Sequence, residues 1–336
     1  MPNFFLKTKN AFGLDISAGS LKIMQLDRRG GSFQVKGFAY ASLPKGLVIN
    51  DAITDQKTFS FLLEQALSRP EFGHIEGRHA VVSLPESKSF VRVIQIPKMS
   101  DTEAIEAVPF EAESFIPLPI DQVYLDWQKL GHTEDGKMNI LIIAAPKEFV
   151  DSYLAILDHA RITTIALEVE SQSCTRVLFA GSEPETSLII DLEANRSSLV
   201  MIEDGNLQFT STIPIAGNSF TESIARSLGI SSIKAEEIKK KVGIANTAEY
   251  PNIKTALLPV LNTLSAEVRN ILKFHSGHSQ KQVGRIILVG GTAKLANLPE
   301  FLAMELGEFS GLKVEIGAYP AIVQSPLNPI DGLGLV

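Results

Sequence analysis

The chain has 336 residues, which is enough for two or three domains or for one large two-lobed fold. Its 45% hydrophobic and 21% charged residues are typical of globular proteins, and its net charge of −7 argues against a nucleic-acid partner, which would require a basic surface. The single cysteine, Cys174, excludes an intrachain disulfide and a cysteine-based zinc site, which is consistent with a reducing cytoplasm. The sequence contains no run of roughly 18 apolar residues that would span a membrane. The apolar part of residues 1–9 is too short for a signal peptide.

A strand-turn-strand pattern occurs twice, at residues 12–26 and at residues 188–202. In each copy an apolar run ends in an aspartate (Asp15 or Asp191), a turn of small or polar residues follows, and a second apolar run leads away. A carboxylate beside a turn of free backbone N–H groups can hold a hydrated cation while the turn holds phosphate oxygens. The alternative is two ordinary hairpins, since aspartate followed by small residues is common turn chemistry. The repeat, together with a glycine pair at residues 290–291, favours a clamp for nucleotide phosphates.

The segment between the two hairpins is predicted to be mixed α and β structure, with a strand at 33–40 and a helix at 55–68. Residues 79–163 are predicted to form an insertion of order β-β-α-β-β-α, a small sheet with helices on it. Its predicted strands are 80–84, 90–96, 123–130 and 138–145, and its predicted helices are 100–114 and 147–159. Ser100 and Glu103 form a capping box for the first of these helices, and Pro109 predicts a kink or break within it.

The second half of the chain is predicted to begin a new set of alternating elements. Its predicted strands are 165–169, 207–213 and 284–290, in addition to the second hairpin. Its predicted helices are 171–179, 218–227, 232–241, 259–277 and 299–307. The predicted division is therefore a first lobe (1–78), the insertion (79–163), and a second lobe (164–336) whose end returns toward the first lobe.

These patterns resemble a known superfamily over nearly the whole chain. Three of the motifs are superfamily-wide: GLDISAGSLK at 13–22, the hairpin that contains Asp191, and LVGGTAKL at 288–295. More specific motifs are EAESFIP at 111–117, YLDWQ at 124–128, IPIAGNSFTESI at 213–224 and AEEIK at 235–239. The chain resembles the actin-like ATPase superfamily and, within it, the PilM family of type IV pilus assembly proteins, which is related to the division protein FtsA. The resemblance implies a two-lobed α/β fold of the actin-like, ribonuclease H-like duplicated kind.

The resemblance also implies a site for ATP and Mg²⁺, on which the two lobes close. Asp15 and Asp191 would organise the magnesium ion, largely through water. The residues it assigns to cofactor binding are Asp15, Gly19, Ser20, Lys22, Asp191, Asn195, Ser197, Gly217, Asn218, Glu237, Lys240, Gly290, Gly291 and Thr292. Within this set, the two hairpins contact phosphate, and the backbone N–H groups of Gly217 and Asn218 lie near phosphate or ribose. Glu237 and Lys240 bracket ribose and base, and the turn at 290–292 carries the adenine.

Two positions depart from the family's phosphate turns, where Ser17 and Glu193 replace glycine. A Cβ restricts the backbone, and the Glu193 carboxylate adds negative charge where phosphate would lie. For hydrolysis, Glu168 and Glu170 are the candidates to position water, with Glu170 as the assigned catalytic residue. The alternative is a solvated pair or a helix cap. His275 is predicted to be a hydrogen-bonded core histidine, and Trp127 to pack on the inserted sheet.

The function implied by the resemblance is an ATP-binding adaptor in the cytoplasm, peripheral to the inner membrane through a partner. That partner is the tail of a PilN-like single-span protein. The sequence leaves open whether the chain also forms a homo-oligomer. The expected tail site is a groove near residues 81–85 and 90–96, with sheet edges and an apolar helix end (Phe110, Phe115 and Ile116). The alternatives are an active ATPase and an FtsA-like filament-forming protein. Residues 320–336 lack the membrane helix expected of the latter and also lack the closing helix of the PilM pattern, which suggests a shortened C-terminus.

Overall fold

The computed structural model describes residues 11–133, 135–179, 185–318 and 323–324. Its strands are β1 (Ala11–Ile16), β2 (Ser20–Arg29), β3 (Ser32–Ser42), β4 (Val48–Ile49), β5 (Ala52–Ile53), β6 (Phe72–Gly73), β7 (His79–Leu84), β8 (Phe90–Ile96), β9 (Val123–His132), β10 (Met138–Pro146), β11 (Thr163–Val169), β12 (Ser187–Leu192), β13 (Ser197–Glu203), β14 (Asn206–Ile213), β15 (Arg285–Val289), β16 (Lys313–Ile316) and β17 (Val323–Gln324). Its α-helices are α1 (Gln56–Ser68), α2 (Asp101–Glu113), α3 (Lys147–His159), α4 (Glu170–Leu178), α5 (Gly217–Leu228), α6 (Ser232–Val242), α7 (Ile253–His278) and α8 (Leu298–Glu305). Among these residues, no helix is long and apolar enough to cross a membrane. The expectations about the end of the chain, 325–336, lie outside the described residues.

The described chain divides into two compact units, residues 11–179 with 323–324 and residues 185–318. In the first unit, seven described strands form one sheet in the order β11-β7-β1-β2-β3-β17, with β6 also beside β3. Strand β1 pairs antiparallel with β2 and parallel with β7, which in turn pairs parallel with β11. Strand β17 pairs parallel with β3 at the far end.

The second unit repeats this arrangement. Its strands follow the order β16-β15-β12-β13-β14, with parallel pairs on one side of β12 and an antiparallel meander on the other. Strand β12 is buried at almost every position, as expected for a strand covered on both faces. The two predicted hairpins and the predicted duplicated α/β fold are thereby confirmed, because each hairpin opens the same sheet topology in its own unit.

In the inserted segment, β10 lies between β8 and β9 in a sheet, and both neighbours are antiparallel to it. Helix α2 packs on this sheet through Ala104, Val108 and Ala112, small side chains at every fourth position that allow close approach. Trp127 packs against the same cluster, as predicted. The capping box at Ser100 and Glu103 is present, with hydrogen bonds in both directions.

The ends of the predicted insertion lie in the larger sheet of the first unit. The predicted element order is found, but β7 is paired on both sides by β1 and β11, and α3 packs against α1 and β11 as well as β10. The second unit connects the equivalent strands β15 and β16 through α8 without a small sheet. The first unit therefore differs from the second by the segment from β8 to β10. The predicted division of residues 79–163 as a separate insertion stays a prediction.

Two prolines behave differently from the sequence expectation. Helix α2 continues past Pro109 to Glu113 without a break, while a kink there stays a prediction, and α7 begins at Ile253, before Pro259, which was expected to open it. A helical proline removes one hydrogen bond to the carbonyl four residues earlier. Those carbonyls belong to Ile105 and Thr255, both exposed residues at which water can replace the missing donor.

Candidate functional site

In the first unit, Asp15 is held by two side chains from neighbouring strands. Lys22, its cross-strand partner on β2, lies with Nζ 3.2 Å from Asp15 Oδ2. Ser83 on β7 donates from Oγ to Asp15 Oδ1 at 2.8 Å. The carboxylate is therefore fixed at the carboxyl edge of the parallel strands, a position where α/β sheets bind ligands.

The turn after Asp15 is closed by its own serines. The Ser17 N–H donates to the Ser20 carbonyl at 2.9 Å, and the two hydroxyls lie 3.1 Å apart. A Cβ placed on Gly19 would meet nothing within 4 Å. The predicted phosphate contacts Gly19 and Ser20 thus lie in a compact turn beside Asp15 and Lys22.

Two carboxylates follow the ends of β7 and β11 at the same edge of this sheet. The Glu86 N–H donates to Glu170 Oε2 at 3.2 Å, and the Ser171 N–H donates to Glu86 Oε2 at 3.2 Å. Glu86 is 2% exposed, and sequence analysis missed it. Glu168 forms an ion pair with Arg176 instead, so Glu170 is the one of the two predicted candidates that takes part in this reciprocal arrangement.

In the second unit, Asp191 and the glycine turn lie in direct contact. Gly290 has φ 84°, and a Cβ on it would approach Asp191 Oδ1 to 2.4 Å and the Leu192 carbonyl oxygen to 2.7 Å. Glycine is therefore required at 290 on both backbone and steric grounds. A Cβ on Gly291 would meet nothing within 4 Å, which leaves an open surface at the turn predicted to carry the adenine.

The carbonyl group of Glu193 joins three parts of the second unit. It accepts a hydrogen bond from the Gly217 N–H at 2.7 Å and from Thr292 Oγ1 at 3.3 Å, while the Asn218 N–H donates to the Ala194 carbonyl at 2.8 Å. The N–H groups of Gly217 and Asn218 were expected to face phosphate or ribose. In this conformation they donate to the carbonyl groups of the turn after Asp191 and hold the start of α5 against that turn.

The remaining predicted residues of this turn make protein contacts as well. Ser197 is fully buried and donates from Oγ to the Ile215 carbonyl. The side chains of Asn218 and Asn195 are joined at 2.7 Å, Nδ2 to Oδ1. Both contacts stabilise the turn, and the Asn195 amide stays at an exposed position.

Helix α6 places the two predicted residues on its exposed face, and their predicted contact with ribose and base stays a prediction. Glu237 and Lys240 are exposed, with side-chain exposures of 62% and 74%. Lys239 is buried instead, and its Nζ donates to the Gly217 carbonyl and to Thr221 Oγ1, both at 2.9 Å. Its ion pair with Glu236 is 2.7 Å long. The helical periodicity of the sequence could have predicted the burial of Lys239, because position 239 shares the helical face of the apolar residues at 235, 238 and 242.

Burial and pairing act in opposite directions on this ion pair. Burial of the Lys239 ammonium lowers its pKa, although the Glu236 carboxylate opposes the shift. Burial also raises the pKa of Glu236, but its hydrogen bonds with Lys239 and Thr221 outweigh that effect and leave the pKa below its usual value. The difference follows from exposure, which is 9% for the Lys239 side chain and 34% for that of Glu236.

The two departures from the family's glycines do not strain the backbone. Neither Ser17 nor Glu193 has a positive φ. The expected conformational conflict at these turns is therefore absent, and the negative charge of Glu193 is the remaining difference.

The histidine prediction is confirmed. His275 is 4% exposed, and its Nε2 lies 3.1 Å from Glu203 Oε2. Among the described residues, no group of His, Cys, Asp or Glu side chains is arranged as a metal centre on its own.

We expect Lys239→Met to destabilise the protein by about 2–3 kcal/mol, because it removes the buried donor to the Gly217 carbonyl and Thr221 Oγ1 and the 2.7 Å ion pair with Glu236. Urea denaturation followed by circular dichroism gives the free energy of unfolding. Hydrogen exchange of the Gly217 amide should accelerate, since the start of α5 loses its anchor. Lys240→Met is the matched control and should change stability by less than about 1 kcal/mol. Equal losses for the two variants would contradict the anchoring role of Lys239.

Comparison with known proteins supports one assignment. A solved chain of a PilM-PilN type IV pilus biogenesis complex superposes with a TM-score of 0.78 at 28% identity, covering 94% of this chain and 90% of that chain. FtsA of Streptococcus pneumoniae is 23% identical over 339 residues, covering 88% of this chain and 73% of FtsA. MreB5 of Spiroplasma citri bound to AMPPNP shares the fold, with a TM-score of 0.55 at 14% identity and coverage of 93% and 92%. The family model of type IV pilus assembly protein PilM matches residues 13–313, and the chain belongs to that family.

Proposed function

We propose that this chain is an ATP-binding adaptor of type IV pilus assembly that binds the cytoplasmic tail of a PilN-like protein. The observation that carries the proposal is the family match over residues 13–313, supported by the similarity to a chain of a PilM-PilN complex. The chain would then work at the cytoplasmic side of the inner membrane through its partner. The similarity to FtsA proteins keeps a filament-forming role as an alternative, but no contact in the described residues favours it.

The tail site expected from the sequence needs one revision. An extended peptide can add to a sheet only at an unpaired edge, and β7 is paired on both sides. The end of α2 is the better candidate, because Phe110 is 78% and Phe115 38% exposed. Arg92 lies over the Phe115 ring at 5.4 Å, whereas Ile116 is buried and supports the fold.

For the nucleotide, we propose that Asp15 and Asp191 organise Mg²⁺ and that the turns after them bind phosphate. The chemistry of the residues fits this ligand: carboxylate oxygens suit Mg²⁺, Lys22 provides a positive charge, and Gly291 leaves an open surface. When bound, Mg²⁺ would neutralise phosphate charge. The N–H groups of Gly217 and Asn218 stay with the turn and act by holding it in place.

ATP hydrolysis is the second candidate function. The observation in its favour is the Glu86–Glu170 arrangement at the carboxyl edge of the first unit's sheet. Glu170 would position the attacking water, and Glu86 would hold the Glu170 side chain through its backbone N–H. A structural role for ATP, in which the nucleotide stabilises the folded chain, requires no such residue.

We expect Mg-ATP at a hundredfold excess over Kd to stabilise the protein by about 2.7 kcal/mol, seen as a rise in melting temperature. Asp15→Asn should abolish most of that rise because it removes the charge that organises magnesium while retaining an acceptor for Ser83. Asp27→Asn, at the far end of the same hairpin, should retain the rise. No thermal shift in the unmodified protein would contradict nucleotide binding and leave the partner role untouched.

We expect Glu193→Gln and Glu193→Gly to tighten Mg-ATP binding equally, by roughly two- to tenfold, because both remove a charge near phosphate. Calorimetric titration of each variant measures the change. If only Glu193→Gly raised the affinity for Mg-ATP, the restriction of the backbone by the Cβ at 193, rather than the charge, would be the cause. Unchanged affinity in both variants would show that the Glu193 carboxylate does not face the phosphates.

We expect Phe110→Ser to weaken binding of a synthetic PilN-like tail peptide by at least tenfold, about 1.4 kcal/mol, because the exposed ring is the proposed contact for an apolar side chain of the tail. Phe61→Ser is the matched control, since Phe61 is 62% exposed on another helix of the same unit. Titration calorimetry compares the two. Equal affinities of both variants for the peptide would place the tail away from α2.

A further inference from the structure

The solvent face of α2 combines an exposed aromatic ring with acidic side chains. Among the phenylalanines that the structure describes, Phe110 is the most exposed, at 78%. Glu106 lies four residues before it and Glu113 three residues after it, so that both flank Phe110 on the same helical face. Glu103, a further turn back, extends this face toward the start of the helix. We call Phe110 with Glu103, Glu106 and Glu113 the acidic face of α2.

The charge of this face is not neutralised locally. Helix α2 contains no basic residue, and in the part of the chain that the structure describes neither Glu106 nor Glu113 forms an ion pair. Glu103 accepts hydrogen bonds from the Ser100 backbone and hydroxyl, which lower its pKa and keep it ionised. The nearby ion pair between Lys129 and Asp101 lies at the first residue of the helix.

This charge pattern restricts what can cover Phe110. An anionic lipid surface would be repelled by the glutamates. A second copy of the chain in a two-fold contact would place like charges opposite one another. A protein segment with basic residues beside an apolar side chain can pack that side chain on the Phe110 ring and pair its basic residues with the carboxylates.

We infer that the acidic face of α2 selects a partner tail in which Lys or Arg residues flank an apolar side chain. The inference rests on the proposed tail-binding role and adds the chemistry by which the tail is chosen. The apolar side chain packs on Phe110 and supplies burial, while Glu106 and Glu113 attract the basic residues. Charges at the rim of an interface mainly raise the association rate and discriminate between partners.

The test uses the full chain and a synthetic peptide of the PilN-like partner's cytoplasmic tail. We expect the double variant Glu106→Gln with Glu113→Gln to weaken binding about three- to tenfold at low salt, mostly through a slower association rate. The difference should vanish at high salt, where the charges are screened within a few ångströms. Surface plasmon resonance at several salt concentrations gives both rate constants, and glutamine preserves helix propensity.

A matched control separates local from global charge. Glu71→Gln with Glu148→Gln removes the same charge from exposed positions elsewhere in the first unit and should leave the affinity unchanged. A tail peptide in which Lys and Arg are replaced by Gln should bind the unmodified chain weakly and should not distinguish it from the α2 double variant.

The outcomes are distinguishable. If the unmodified chain binds the tail and the α2 double variant binds it equally well at low salt, the inference is overturned and the adaptor proposal stands. A natural tail that lacks Lys and Arg beside its apolar residues overturns the inference as well. If the unmodified chain fails to bind the tail at any salt concentration, the proposed tail-binding role fails, and the inference falls with it.

Discussion

The parallel pairing of β1 with β7 in the first unit and of β12 with β15 in the second is the constraint on which the candidate site residues of each unit depend. Parallel strands end at the same edge of a sheet, so side chains that follow separate strands in the sequence are brought together. In the first unit this edge carries Asp15 and Ser83, and in the second it carries Asp191 and Gly290. Duplication of one strand order thus produces two similar acidic edges from sequences with little in common.

Hydrogen bonds around the Glu193 carbonyl give the second edge its rigidity. The start of α5 and Thr292 both donate to it, and buried Lys239 holds the Gly217 carbonyl from the other side. A turn fixed in this way needs no rearrangement to present its exposed residues to a ligand, which lowers the entropic cost of binding. The same network explains how Glu193 can occupy a glycine position, since the contacts are made by its backbone.

The inserted segment serves a different purpose from the duplicated sheets. Its small sheet and α2 form their own core, in which Ala104, Val108 and Ala112 face inward. The opposite face of α2 does not pack against this core, and it carries charged side chains and the exposed ring of Phe110.

The sequence by itself determined the family, the two hairpins, the eight described α-helices and the described strands of five or more residues, and it singled out Asp15, Asp191 and the glycine turn as candidate site residues. These features depend on local periodicity, turn chemistry and short motifs. The described strands of two to four residues were not predicted. The tertiary structure decided which face of each element is buried. Lys239 rather than Lys240 points inward because α6 packs through residues 235, 238 and 242, and a shift of one residue turns a side chain by roughly 100° around a helix. The contact of Glu86 with the start of α4 and the pairing of β7 on both edges could not be predicted for the same reason. Both depend on strands that are distant in sequence and adjacent only in the folded sheet.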